Sequence, residues 1–421
     1  MALEGSLRPT AQAQATAEAK PNQYRWVIAG LTMLYHFTFG LSIFVVSPLT
    51  PLIMDDYGVN RSTASLLIGL TLLMQAAMAI PGGMLGSRLP LKWVIATGWV
   101  LVSVTVFSFA APNFAALLAL RLLYGVASSL VFPNVGPLVM QWFTTRQIPL
   151  VNSLNSAFIS LGMATSTFLA GPLAEAIGWR ETLSLFGVTT LVGAFAWMAL
   201  GKTRTIAAEA AAASARHSGG NGGAFLTSLE LLKSKPVLLM AFGNAAAFAL
   251  FGALTSWLPT FYHEVYGMSL SRAAAMMGVL PLVGVVSLLS AGVLATKFRR
   301  RRPFLLAPGI LSCFAGFGAV LLGDSPLLLP ALVLVGFCGW FYQPILFAIP
   351  MELPGVTSKN VSVIFGLFML VGGIVGFLSP LLVGATADAT GSYLWGFGLL
   401  AVLSPGLALA AWKLPETGKQ T

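Results

Sequence analysis

The chain has 421 residues, of which 57% are hydrophobic and 9% are charged, and its mean hydropathy is +0.85. Soluble domains carry charges on about 25% of their residues, so this chain has too few polar side chains to cover a water-soluble globule. The composition excludes soluble enzymes, secreted disulfide-linked domains and nucleic-acid-binding domains. The net charge of +10 therefore needs another explanation.

Apolar stretches of about 20 residues follow one another along the chain, and each is long enough to cross the membrane as a helix. The sequence predicts six spans at 26–49, 63–86, 92–111, 114–142, 149–173 and 182–201. It predicts six more at 236–260, 271–296, 303–323, 327–350, 360–385 and 392–413. Ser62 and Ser269 stand where the capping residues of the second and eighth spans belong. We expect an all-α polytopic membrane protein with twelve transmembrane helices.

A polar connection over 202–235 separates the first six spans from the second six. Its Gly- and Ser-rich part, around 218–223, has the composition of a flexible linker. The sequence predicts five parts: a disordered cytoplasmic tail 1–24, an N-terminal six-helix bundle 25–201, a cytoplasmic central loop 202–235, a C-terminal six-helix bundle 236–413 and a cytoplasmic tail 414–421. Residues 1–24 lack the apolar core of a cleavable signal peptide.

The positions of Lys and Arg predict the orientation. With a cytoplasmic N-terminus, 19 of the 23 basic residues fall in cytoplasmic segments, and only Arg61, Arg180 and Arg272 fall on the other side. Cytoplasmic loops carry the excess of positive charge, so we expect both termini in the cytoplasm and the protein in the bacterial inner membrane. These charges would lie near anionic lipid, which explains the excess of basic over acidic residues.

The connections after the second and eighth spans share a pattern, in the stretches 83–92 and 292–301. Each has a Gly, a Leu two residues on, a small residue, a hydroxyl residue and a base, with more bases following. Matching loops at the same position of two six-span halves are typical of a transporter built from a repeat.

On these residues the sequence resembles the major facilitator superfamily over about 25–414. The family's loop pattern G-x-L-x-D-R-x-G-R-[RK] is retained in part, but Ser87 replaces the acid and Pro90 the second glycine. Its fourth-helix pattern R-x-x-x-G-x-[GA] matches 121–127, and Gly-Trp-Arg at 178–180 is also typical. The resemblance implies two pseudo-symmetric bundles that work by alternating access. Without the acid, the family's charge lock at this loop is expected to be weaker or built differently.

Charged groups are scarce inside the predicted spans. All thirteen acids fall in tails, loops or near helix ends, whereas Arg121 lies inside the fourth span. A buried charge in a span faces the bundle interior, where Arg121 either binds an anion or hydrogen-bonds backbone carbonyls of a neighbouring helix. His36 lies deep in the first span and titrates near neutral pH in water. It is either a proton-coupling or substrate-donor residue, or a histidine satisfied by a neighbouring helix.

The resemblance implies that the first, fourth, seventh and tenth helices line a central cavity. The candidate substrate-binding residues are Tyr35, His36, Arg121, Tyr124, Asn152, Asn155, Asn244, Trp257, Trp340, Tyr342 and Gln343. Further candidates for the lining are Phe39, Gln75, Asn134, Ser156, Phe248 and Phe368. The candidate coupling or gating residues are His36, Arg88, Lys92, Arg121, Lys297 and Arg301.

These features favour a secondary transporter of a small anion or a neutral polar solute. The stretch 256–262 resembles cyanate-transporter-like anion-uptake members, so cyanate, nitrate or a carboxylate is a hypothesis for the substrate. The alternatives are an exporter of apolar drug-like compounds, with a soft Phe- and Met-rich pocket, and a non-transporting sensor or assembly partner. No enzyme activity, cofactor, metal site or nucleic-acid partner is expected. The expected partners are the solute, a coupled proton or ion, and membrane lipids, around a monomer.

Overall fold

The computed structural model describes residues 23–144, 147–204, 233–298, 300–353 and 358–417. Within these ranges it contains twelve helices that are long and apolar enough to cross a membrane. The predicted number of spans and the all-α class are therefore confirmed. The predicted tail 1–24 and central loop 202–235 lie almost wholly outside the described residues.

We number the helices α1 to α12 in chain order, as the spans. The N-terminal half contains α1 (Tyr24–Ile43 and Val46–Tyr57), α2 (Arg61–Arg88), α3 (Leu91–Val102, continued by the 3-10 helix Ser103–Ala110), α4 (Phe114–Trp142), α5 (Ile148–Ile177) and α6 (Trp179–Leu200). The C-terminal half contains α7 (Lys235–Tyr266), α8 (Leu270–Lys297), α9 (Arg302–Leu321), α10 (Leu328–Glu352), α11 (Ser358–Thr390) and α12 (Leu394–Leu403 and Gly406–Lys413).

Helix α1 is longer than predicted because it continues past a break at Phe44 and Val45. Pro48 causes the break, since it has no N–H to bond the carbonyl of Phe44, four residues earlier, and its ring crowds that carbonyl. The Phe44 carbonyl instead accepts a bond from the N–H of Ser47 at 3.0 Å. The chain then continues as a second helix that carries α1 across the membrane.

One of the two predicted caps is wrong. The Ser269 side chain caps α8 by accepting a bond from the N–H of Arg272. Helix α2, however, begins two residues earlier than predicted, and the Asn60 side chain caps it by accepting from the N–H of Thr63 at 2.9 Å. Ser62 lies inside the first turn, where its hydroxyl is free to bond a group from another helix.

Each half has its own apolar core. One core packs mainly residues of α1 to α6 and also includes Leu270 and Met277 of α8, and two further clusters pack mainly residues of α7 to α12, one of them with Ala64 of α2. Small residues set the closest approaches between helices. A Cβ on Gly162 of α5 would lie 2.1 Å from the carbonyl oxygen of Phe37 in α1, so these two helices cross at backbone contact distance.

The halves meet along α2 and α11, along α5 and α8, and where α1 approaches α7. We call the end of the bundle with the α2–α3 and α8–α9 connections the basic end, and the opposite end, where α1 ends and α2 begins, the acidic end. Helices α2 and α11 touch from Arg61 and Gly384 at the acidic end to Ala76 and Gly373 further along. Their contact therefore covers the half of α2 nearest the acidic end.

Candidate functional site

Arg121 is held inside the N-terminal half by the first turns of α4. Its side chain is 2% exposed, and Nη1 donates a hydrogen bond of 2.7 Å to the carbonyl oxygen of Ser42, next to the break in α1. Its own backbone carbonyl accepts a bond from the hydroxyl of Thr71 in α2. A Cβ on Gly125 would lie 2.5 Å from the Thr71 carbonyl oxygen. The spacing of Arg121 and Gly125 thus reflects the close packing of α4 against α2.

The charge of Arg121 has no counter-charge in the described part of the chain. The ion pairs found there involve Arg61, Arg180 and Arg272. The Nε of Arg121 is buried and has no hydrogen-bond partner. A buried guanidinium with one carbonyl contact retains much of its desolvation cost, so an anion that reaches it would be bound strongly.

Tyr124, one turn after Arg121 in α4, and Tyr35 of α1 use their hydroxyls to hold α1 against α4. Tyr124 donates to the carbonyl oxygen of Phe39 at 3.2 Å, and Tyr35 donates to that of Ser128 at 3.4 Å. Both side chains are buried. The ring of Phe39 stacks on the rings of Tyr35 and Tyr124. Tyr124 therefore lies beside Arg121, and Tyr35 is connected to Tyr124 through the ring of Phe39.

His36 is buried one turn before Phe39. Its Nδ1 lies 2.7 Å from the carbonyl oxygen of Thr32 in its own helix, not in a neighbouring one. Since a carbonyl only accepts, Nδ1 carries the hydrogen, and the neutral ring has its lone pair on Nε2. The hydroxyl of Thr32 lies 3.1 Å from Oδ1 of Asn155 in α5, and Nδ2 of Asn155 is buried without a partner. His36 and Asn155 thus form one polar group around Thr32.

The candidates of the C-terminal half divide into two kinds. Tyr342 of α10 donates to Oδ1 of Asn244 in α7 at 3.2 Å, and Trp257 of α7 donates to the carbonyl oxygen of Pro380 in α11 at 2.8 Å. These three side chains are buried and join helices of their own half. Trp340 is half-buried, packs against the cores of both halves, and has an Nε1 without a partner. Trp340 therefore lies where the two halves of the bundle are in contact.

The remaining candidates are spread over the bundle. Asn152 is exposed although Asn155, one turn later, is buried, and Gln343 is half-buried. The amide nitrogen of Asn134 donates to the carbonyls of Gly82 and Leu130, so it joins α4 to α2. The others are placed as follows: Gln75 and Phe368 are buried; Ser156 and Phe248 are half-buried; Arg88 is exposed; Lys92 and Arg301 are half-buried at the basic end; and the side chain of Lys297 lies outside the described residues.

A charged cluster at the acidic end was not among the predicted sites. Nη2 of Arg61 in α2 lies 2.6 Å from Oε2 of Glu264 in α7, and its Nη1 lies 3.8 Å from Oδ1 of Asp388 in α11. Nε of Arg61 donates to the hydroxyl of Tyr393 at 2.7 Å, and that hydroxyl donates to Glu264 at 2.9 Å. Burial raises the pKa of Tyr393, and Glu264 raises it further, so the hydroxyl keeps its proton. Arg61 therefore joins the N-terminal half to two acids of the other half.

Asp388 also caps α2 from the opposite half. Its Oδ1 accepts from the N–H of Arg61 at 3.1 Å, and its Oδ2 accepts from the N–H of Ser62 at 2.8 Å and from the Ser62 hydroxyl. A carboxylate at a helix N-terminus satisfies free N–H groups and interacts favourably with the helix dipole. The sequence placed Arg61 on this side of the membrane and these acids at helix ends, but it gave no signal for their pairing.

Two more polar contacts join the halves near the acidic end. The hydroxyl of Ser47 in α1 approaches the carbonyl oxygens of Thr255 and Ser256 in α7 at 2.7 and 2.8 Å. The hydroxyl of Ser271 in α8 donates to Glu175 of α5 at 2.7 Å. With the Arg61 cluster, these contacts close the acidic end of the bundle.

Comparisons with known proteins agree with this architecture. The family described as "Major Facilitator Superfamily" matches residues 32–380. A "Probable nitrate transporter" of Staphylococcus carnosus is 22% identical over 378 residues, which cover 89% of this chain and 92% of the relative. A "Probable sulfoacetate transporter" of Cupriavidus necator is 24% identical over 405 residues, covering 90% and 93%. The crystal structure of a bacterial homologue of the human lysosomal transporter Spinster, in an inward-facing and unoccupied conformation, superimposes with a TM-score of 0.72 at 17% identity, covering 93% of each chain.

Proposed function

The chain belongs to the Major Facilitator Superfamily, and from this premise we propose that it is a secondary transporter of a small organic or inorganic anion. The observation that carries the proposal is the buried guanidinium of Arg121, which has one carbonyl contact and no acidic partner among the described residues. Relatives named for the transport of nitrate and sulfoacetate support an anionic substrate. Export of apolar drugs is not favoured, since it leaves this charge without a role.

The anion supplies the counter-charge that Arg121 lacks among the described residues. A carboxylate, sulfonate or nitrate oxygen accepts charge-assisted hydrogen bonds from a guanidinium, and these are about twice as strong as neutral ones. Two further N–H groups, Nδ2 of Asn155 and Nε1 of Trp340, are also buried without partners. Asn155 contacts Thr32, ten residues before Ser42 in α1, which is about 15 Å along the helix, so it would meet the anion at a different point of its path from Arg121.

Alternating access follows from the closed acidic end. We assign the structure to the state that is shut at the acidic end and opens toward the basic end. In support, Gly384 and Gly373 of α11 lie against Arg61 and Ala76 of α2, whereas a Cβ on Gly366, two turns nearer the basic end, would meet no atom within 4 Å. The distribution of Lys and Arg supports the proposal that the basic end and both termini lie on the cytoplasmic side of the inner membrane. The substrate then enters after the acidic end opens and leaves into the cytoplasm from the state described here.

His36 is the residue we assign to proton coupling. In the neutral ring Nδ1–H is engaged by Thr32, so Nε2 presents a lone pair that repels an anion. A proton on Nε2 converts this repulsion into a donor with a positive charge. An anion and a proton would therefore bind together, and no carboxylate is needed for the coupling.

Thermal stability of the purified protein tests anion binding. A ligand that binds only the folded state at about 100 times its Kd stabilises it by about 2.7 kcal/mol, so nitrate or sulfoacetate at saturation should raise the melting temperature. The Arg121→Gln variant should lose this rise. Arg272→Gln, which removes an exposed charge at the acidic end, should keep it. Equal shifts in wild type and Arg121→Gln would refute the assignment of Arg121.

A further inference from the structure

Two apolar grooves on the outer surface of the bundle occupy equivalent positions in the two halves. The α3 groove, about 280 Å³, is lined by Leu85, Leu89, Trp93, Val94 and Leu130. Leu89 and Trp93 are 51% and 61% exposed there. The groove therefore opens on the surface that the bundle presents to the membrane.

The α9 groove, about 260 Å³, is its counterpart in the C-terminal half. Its lining includes Phe304, Ala307, Leu311, Phe337 and Phe341. Both grooves lie between the third and fourth helices of their half, with Leu85 of α2 added in the α3 groove, and both begin at the basic end. From Pro303 to Leu311 the α9 groove follows two turns of helix, about 12 Å at about 1.5 Å per residue, which matches the upper part of an acyl chain.

Each groove begins beside one of the two repeated basic loops. Arg88 and Lys92 flank the α3 groove, and Arg300 precedes the first residue of the α9 groove by three positions. Arg88 and Arg300 are exposed, and in the described ranges neither pairs with an acid. The repeat thus places the same combination, cations above an apolar groove, in each half.

Ser87, which stands where the family pattern has an acid, adds no negative charge to this loop. Its hydroxyl donates to the carbonyl oxygen of Met84 in its own helix at 2.8 Å. Lys92 lies over the ring of Trp93, with Nζ 5.7 Å from the ring centroid. Lys92 therefore lies at the mouth of the groove.

The walls of the α9 groove are built from contacting aromatic rings. Phe298 meets Phe304 with ring centroids 5.7 Å apart, and Phe304 meets Phe341 at 6.1 Å. Phe337 and Phe341 stack at 4.7 Å. Contacts between the rings fix the shape of this wall. A groove of fixed shape favours stable binding of an apolar chain over transient contact.

We propose that each basic loop and its groove bind one anionic glycerophospholipid. The phosphate pairs with Arg88 and Lys92, or with Arg300, and one acyl chain fills the groove below. A free anion would gain nothing from the groove, and the ammonium group of a zwitterionic lipid would oppose the cations. Each Lys or Arg near an anionic surface contributes about 1 kcal/mol, equivalent to about a fivefold preference.

Quenching of Trp93 fluorescence tests the α3 groove. The full chain is placed in phosphatidylcholine nanodiscs containing a small fraction of lipid with brominated acyl chains, either phosphatidylglycerol or phosphatidylcholine. The signal of Trp93 is the difference between wild type and Trp93→Phe. Brominated phosphatidylglycerol should quench it at a mole fraction at least about five times lower than brominated phosphatidylcholine does. Equal quenching by both lipids would overturn the proposal.

Charge variants separate headgroup recognition from general lipid contact. Arg88→Gln and Lys92→Gln should each reduce the preference about fivefold, whereas Lys413→Gln, an exposed charge at the same end, should leave it unchanged. The second groove is tested independently by Phe304→Trp in the Trp93→Phe background, with and without Arg300→Gln. A preference that survives removal of these bases, in either groove, would contradict binding of the phosphate there.

Discussion

The contacts of Asp388 predict how strongly the acidic end is held shut. Asp388→Asn keeps the shape of the side chain but replaces one carboxylate oxygen with an NH2 group. In the structure, Oδ2 accepts from the N–H and the hydroxyl of Ser62, and Oδ1 accepts from the N–H of Arg61. The single oxygen of the amide can accept from Arg61 or from Ser62, but not from both. The NH2 group would face the donors of the other residue.

The size of the effect follows from these contacts. Loss of a helix cap costs about 1 kcal/mol, and loss of a hydrogen bond to a charged group about 1.5–3 kcal/mol. The ion pair of Asp388 with Arg61 is long, at 3.8 Å, and partly exposed, so it adds little. A net loss of about 2 kcal/mol lowers the ratio of closed to open states about 30-fold.

Distances between spin labels across the acidic end measure this ratio. Labels at Ala115 and Leu329, which are exposed at the starts of α4 and α10, report on opposite halves after the free cysteines Cys313 and Cys338 are replaced by serine. Wild type should show mainly the short distance, and Asp388→Asn should shift population to a longer one.

Asp324→Asn is the matched control. It removes the same charge at the same end, but its partner Arg272 belongs to the same half. The distance distribution should therefore stay as in wild type. An unchanged distribution in Asp388→Asn, or an equal shift in Asp324→Asn, would refute the argument that Asp388 holds the halves together.

Three further predictions concern closure, packing and coupling. Ser47→Ala removes a hydroxyl that approaches two carbonyls of α7 and should shift the same label distances by the equivalent of about 1 kcal/mol; unchanged distances would contradict this. Gly162→Ala forces a Cβ to within 2.1 Å of a backbone oxygen and should destabilise the fold by about 1–3 kcal/mol in detergent unfolding. Gly30→Ala, where no atom lies within 4 Å, should not destabilise it. Anion flux in wild type should rise as pH falls, because protonation of His36 gives the site a second positive charge, and His36→Gln should flatten this dependence; an unchanged pH profile would exclude His36.

Local sequence features predicted much of the fold. Span number depends on hydropathy over about 20 residues, and each predicted span has a helix in the structure. The break in α1 follows from Pro48, but the prediction ended that span at residue 49, whereas the apolar residues continue to Met54 and the helix to Tyr57. The start of α2 was misjudged because Asn60 and Ser62 are both good caps, and only backbone geometry separates them.

The candidate site was harder to predict because it depends on how helices face one another. Asn152 and Asn155 lie one turn apart in an apolar helix, yet one is exposed and the other buried. Nothing local distinguishes them, since lipid and protein interior are both apolar. Asp388 and Ser62 are separated by 326 residues, and their contact exists only when the acidic end is closed. Sequence patterns report on neither distance nor conformational state.

Transport by the purified protein in liposomes tests the central claim most directly. Initial rates of uptake are measured for nitrate, sulfoacetate, a neutral sugar and a lipophilic cation, with wild type and Arg121→Gln. We predict that wild type moves at least one of the anions and neither of the other solutes. Loss of a buried charge pair costs about 3–5 kcal/mol, so Arg121→Gln should slow anion flux at least 100-fold, or about 2.7 kcal/mol. Anion flux by Arg121→Gln at the wild-type rate, or flux of the sugar or cation with no anion moved, would contradict the account.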